Sequence, residues 1–127
     1  MRDAFPASAI PPKREYLRNP PDYESAETAL NNDAQLTFNH GFGTIPSRVQ
    51  AILRANTATA QGWADNEEAE FSFPWSGAAA DDGVDMTMDT DNVYITQGAN
   101  IQLLDHTSFN HETITQSEYD WVVRAWK

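Results

Sequence analysis

The chain has 127 residues, a formal net charge of −11, 40% apolar residues and no cysteine; this fits one folded domain and excludes a disulfide framework, a thiolate metal site and a cysteine nucleophile. No apolar run approaches the roughly 20 residues that span a bilayer, and the opening MRDAFPASAIPPKREY breaks its apolar stretches with proline and charge, so neither a signal peptide nor a membrane anchor is expected. Residues 1–18 carry four bases against two acids, a net of +2, while the rest carries four bases against seventeen acids, a net of −13, a field that repels nucleic-acid phosphates and anionic lipid head groups and leaves neither nucleic acid nor membrane as an expected partner.

Five of the seven prolines, Pro6, Pro11, Pro12, Pro20 and Pro21, lie before Tyr23. Proline-dense sequence favours extended backbone and builds no core of its own, so residues 1–24 are expected to form an extended N-terminal arm. Its apolar residues Phe5, Ile10, Tyr16 and Leu17, beside the cations Lys13, Arg14 and Arg18, exceed what a solvated linker needs. They are the candidate anchoring residues, suited to an acidic neighbouring surface through burial and charge together.

Residues 25–127 show short alternating runs separated by turn residues, with no long stretch of helical period. Residues 35–39 alternate and stop at HGFGTIP, where two glycines and a proline force a reversal. The run 48–54 then places Val49, Ala51 and Leu53 on the core face and Arg48, Gln50, Ile52 and Arg54 on the other. A polar loop, residues 56–66, precedes a strand over 68–73 with Ala69, Phe71 and Phe73 inward. Residues 84–89 alternate with Asp85, Thr87 and Asp89 outward, turn at Asp91-Asn92, and continue as a meander through 93–96 and 101–104. After a polar stretch, residues 105–118, the dense apolar run 119–126 fits a central strand buried on both sides. The expected fold is therefore all-β, an antiparallel sandwich of six or seven strands, with Val49, Leu53, Phe71, Phe73, Ile95, Leu103 and Val123 in its core.

The strings LTFNHGFGTIPSRVQAIL, NVYITQG and YDWVVRAWK, in that order, resemble small bacteriophage or phage-like virion proteins of the fibre and decoration kind, with a glycine-rich turn after the first strand and a tryptophan-bearing closing strand. The layout is also similar to the H-type lectin sandwich, which assembles as trimers. The resemblance covers residues 36–127. It implies a structural part of a virion, a capsid decoration or head-fibre protein attached to other virion proteins through its arm and assembled as a homotrimer. The alternative is a receptor-recognition module of a tail fibre that binds a host-surface glycan. The sugar-contacting residues of the lectins do not align onto this chain.

No motif for catalysis emerges. The serines lie in neither a GxSxG elbow nor an SxxK pattern, the HGFG turn lacks the lysine and helix of a phosphate loop, and no acidic spacing matches an EF-hand. His40, His106 and His111 lack zinc-site spacing, although one histidine per chain around a three-fold axis would make a metal site. No enzyme activity, cofactor or metal is expected. Trp63, Trp75 and Tyr94 fall in loops or on outer faces, where aromatic rings stack on sugars or fill interfaces. Trp121 and Trp126 have opposite parity on the last strand, so one of them must face away from the core. These five are the candidate ligand or interface residues, and an outward tryptophan with Ile52 and Val122 is the expected surface for self-association.

Overall fold

A computed structural model describes residues 19–77 and 79–127. The anchoring residues Phe5, Ile10, Lys13, Arg14, Tyr16, Leu17 and Arg18 lie outside the described residues.

The chain forms β1 (Tyr23–Glu24), β2 (Thr28–Ala29), β3 (Ala34–Asn39), β4 (Arg48–Ala55), β5 (Glu68–Glu70), β6 (Trp75–Ser76), β7 (Gly83–Met88), β8 (Asn92–Gln97), β9 (Gln102–Leu104), β10 (His111–Thr113) and β11 (Tyr119–Trp126). One sheet runs β1-β11-β4-β5, with β2 also on β11; the other runs β3-β8-β7-β6; β9 and β10 form a separate hairpin. The fold is the expected antiparallel sandwich, but with eleven strands among the described residues rather than six or seven. The four additional strands are β1, β2, β6 and β10, fragments of two or three residues.

β11 is the spine. It pairs along its whole length with β4, Tyr119 opposite Ala55 through Trp126 opposite Arg48. Period two turns Tyr119, Trp121, Val123 and Ala125 inward, all fully buried, to meet Ala51, Leu53 and Ala55 of β4. From the facing sheet come Phe38, Val84, Val93 and Ile95, and Ile101 and Ile114 close one end. Phe71 and Phe73 pack at 5.4 and 6.0 Å from the Trp121 ring. Every expected core residue lies in this cluster or packs against it: Leu53, Ile95 and Val123 are buried, and Val49, Phe71, Phe73 and Leu103 are half-buried.

Three expectations need correction. The strand at 68–73 ends at Glu70, and Ala69 is exposed on this edge strand. Residues 101–104 do not extend the meander; β9 leaves the sheet to pair with β10, which lies inside the supposed polar loop. Tyr23 and Glu24, assigned to the arm, are strand residues opposite Ala125 and Arg124. The arm is fixed from Asn19 onward. The Asp22 N–H donates to the Ala125 carbonyl at 2.9 Å, the Lys127 N–H donates to the Asp22 carboxylate at 2.7 Å, and Trp126 Nε1 donates to the Asn19 carbonyl at 2.8 Å. Between β1 and β2 the Ser25 hydroxyl accepts the Val123 N–H at 2.9 Å, so a side chain fills the gap in the ladder.

Candidate functional site

Ile52 and Val122 face each other across the outer side of the β4–β11 pair, yet both are buried. They lie between Arg54 and Arg124, which hold a network of acids over the sheet. Arg54 meets Glu27 and Glu68 at 2.7 Å each, and Arg124 meets Glu24 at 3.1 Å and Glu68 at 3.8 Å. The aliphatic stems shield the apolar pair while the charged heads stay in water. Hydrogen bonds donated to Glu27 and Glu68 push the Arg54 pKa further up. The apolar surface expected to drive self-association at Ile52 and Val122 is thus closed within the chain.

The candidate aromatic residues fall into two groups. Trp121 is fully buried, and Trp63 is buried too, its ring stacked on His106 and edge-on to Tyr119 at 5.4 Å in each case. Neither is available to a ligand. Trp63 was assigned to a polar loop, but residues 56–66 fold back so that Thr59 Oγ1 accepts the Trp63 N–H and seats the indole over Tyr119. The neighbouring Tyr119 hydroxyl donates to Gln61 at 2.9 Å, and burial raises its pKa.

Trp75, Tyr94 and Trp126 keep exposed area. Trp126 is the outward tryptophan of the pair, with the Arg48 guanidinium 4.7 Å from its ring centroid, beside the point where the arm leaves. Tyr94 donates its hydroxyl to Asp89 at 2.8 Å, on the tight turn joining β7 to β8. Trp75 opens onto a shallow groove of about 400 Å³ whose lining includes Asp33, Asp81, Asp82, Asp85 and Thr96. Asp82 is held by Asn100 at 3.1 Å, and the groove floor depends on Gly98, whose N–H donates to the Gly83 carbonyl at 2.8 Å. Of the expected outward residues on β7, Asp85 and Thr87 are exposed as placed, while Asp89 belongs to the turn.

The three histidines have different surroundings. His40 is buried; its Nδ1 accepts the Phe42 N–H at 3.0 Å, and its Nε2 donates to the Asp89 carbonyl at 3.1 Å. His106 stacks on Trp63, and His111 is exposed on β10. Among the described residues no three His, Asp or Glu side chains form a group able to hold a metal ion. Sequence reasoning did not single out Ile45, Leu104 and Phe109, the exposed large apolar residues among those described; in one sequence an apolar residue in a loop or a short edge strand gives no sign of which way it points.

Two carboxylates are tied to backbone amides. Asp105 accepts from the Ser108 and Thr107 N–H groups at 2.8 and 2.6 Å, which holds its pKa below the usual carboxylate range. Asp89 is lowered likewise by the Asp91 N–H, the Tyr94 hydroxyl and the Asn92 N–H. A depressed folded-state pKa contributes stability that is complete above the unfolded value of about 4 and is lost as pH falls through the folded value. Asp105→Asn is therefore expected to flatten the fall in stability below about pH 4, measured by urea unfolding at stepped pH. An acid limb as steep as the wild type's would remove Asp105 from this role.

No protein-family model matches the chain, and no curated protein matches it.

Proposed function

We propose that the chain is a non-enzymatic structural module of a virus particle, a capsid decoration or head-fibre protein attached through residues 1–18. The observation that carries this reading is how the arm joins the body. Asn19, Asp22, Tyr23 and Glu24 are bonded to the end of β11, and β11 is the central strand of its sheet, buried along its inward face. A tether fixed there passes load into the strand ladder rather than into a loop. The charge division supports the same reading: the basic, apolar arm suits an acidic or apolar partner surface, whereas the net −13 of the remainder disfavours contact through the acidic faces of the sandwich.

The test is attachment in trans. Particles that lack the protein are mixed with the full chain or with a chain beginning at Asn19, and bound protein is counted after sedimentation. The truncated chain is expected to keep its strand-type circular dichroism and its thermal transition while losing attachment. A truncated chain that binds as well as the full one would refute the role of the arm. The cut falls before Asn19 because residues 19–24 belong to the folded sheet.

The Trp75 groove favours a second reading, a carbohydrate-recognition module. An indole face beside several carboxylates supplies both stacking area and hydrogen-bond acceptors for a neutral sugar. Trp75→Ala abolishes saturable glycan-array binding if this reading holds. Trp63→Ala cannot serve as that test, since Trp63 is core.

A further inference from the structure

The two sheets have four edges, β1–β2, β5, β6 and β3. Three are poorly suited to further pairing. The β1–β2 edge carries Glu24 and Glu27 and is interrupted at Ser25, β5 is a three-residue strand with glutamate at each end, and β6 has two residues. Short, charged or broken edges are the usual devices that block strand addition. β3 has none of them: its six residues, Ala34–Asn39, contain no charge, proline or glycine.

The pleat also leaves that edge open. Gly98 donates to the Gly83 carbonyl and His40 to that of Asp91. With the register of β3 on β8, this phase directs the backbone of Ala34, Leu36 and Phe38 to β8 and turns the N–H and C=O groups of Gln35, Thr37 and Asn39 outward. None of those outward groups has a backbone partner among the described residues.

We infer that β3 is the contact edge for a second copy of this chain, the two strands pairing antiparallel about a two-fold axis at Thr37 and joining two four-stranded sheets into one. The strand is complementary to itself in this register. Thr37 meets Thr37 of the second copy and Gln35 meets Asn39, uncharged hydrogen-bonding pairs on the solvent face. On the core face Leu36 meets Phe38, extending the apolar layer from one sandwich to the next. A chain of net charge −11 resists touching itself through its acidic surfaces, and β3 is the long edge that avoids this repulsion. Salt strengthens the pairing.

Sedimentation equilibrium of the full chain over a concentration series, with two variants, tests the contact. Thr37→Lys sets two cations face to face on the axis, and Thr37→Pro deletes an outward N–H without removing a bond to β8. The wild type is expected to be a dimer, in place of the homotrimer that the family resemblance implies. Both variants are expected to dissociate at least about tenfold more readily, with strand-type circular dichroism unchanged. A Thr37→Pro chain that fails to fold leaves the decision to Thr37→Lys, whose side chain points to solvent. A monomeric wild type, or association indifferent to Thr37→Lys, overturns the inference. So does association lost on removing residues 1–18 but kept in Thr37→Lys, which would make the arm the contact.

Discussion

Trp121→Ala is expected to be the most damaging single substitution, costing about 3–5 kcal/mol and lowering the melting temperature by roughly 10–20 °C. The ring is fully buried at the centre of β11. It is the surface on which Phe71 and Phe73 pack as the chain leaves β5 for the other sheet. Truncation opens a cavity that backbone paired on both sides cannot collapse to fill. A loss of that size is a large part of the stability of an ordinary domain. Trp121→Phe provides the contrast. The indole Nε1 is buried without a hydrogen-bond partner, so the smaller ring gives up contact area but also removes an unpaired donor, and it should cost no more than about 2 kcal/mol. Thermal and urea unfolding of both variants checks the pair, and a Trp121→Ala chain as stable as the wild type would contradict this account of the core.

Gly98→Ala is the second large effect, and it acts on backbone rather than on the core. A Cβ at Gly98 would run into the carbonyl of Asp81, an oxygen already accepting the Ala99 N–H at 2.8 Å. Relief requires residues 79–83 to shift away from β8, at a cost of about 1–3 kcal/mol, and that shift deforms the groove beside Trp75. The expected result is reduced stability together with a displaced Trp75 indole resonance in a nitrogen–proton correlation spectrum. Unchanged stability and an unchanged spectrum would contradict the clash at Gly98.

Much of the fold was legible in the sequence because period two survives wherever one sheet face is solvated. Val49 and Ala51 alternate with Arg48 and Gln50, as Val93 and Ile95 do with Asn92, Tyr94 and Thr96, and such runs read as strands with one face inward. The misreadings share a cause, burial supplied by partners far away in sequence. Ile52 looked outward and free, but the arginines that flank it are held by glutamates from β1, β5 and the segment before β2. Trp63 stood in a polar loop, and its place in the core depends on Tyr119 and His106. Pro20 and Pro21 suggested an extended arm through residue 24 and hid the strand that begins two residues later, since its pairing depends on β11 at the other end of the sequence. At the site, the parity of Trp121 and Trp126 required one to face out; pairing with β4 decided that it was Trp126.

The central claim is a place on a particle, and electron cryomicroscopy of purified particles that carry the chain tests it most directly. The expected image is a sandwich-shaped density on the particle surface at fixed stoichiometry, joined to the shell by an extended segment that emerges beside the Trp126 end of β11. Particles that carry the chain but show no such surface density would contradict the account.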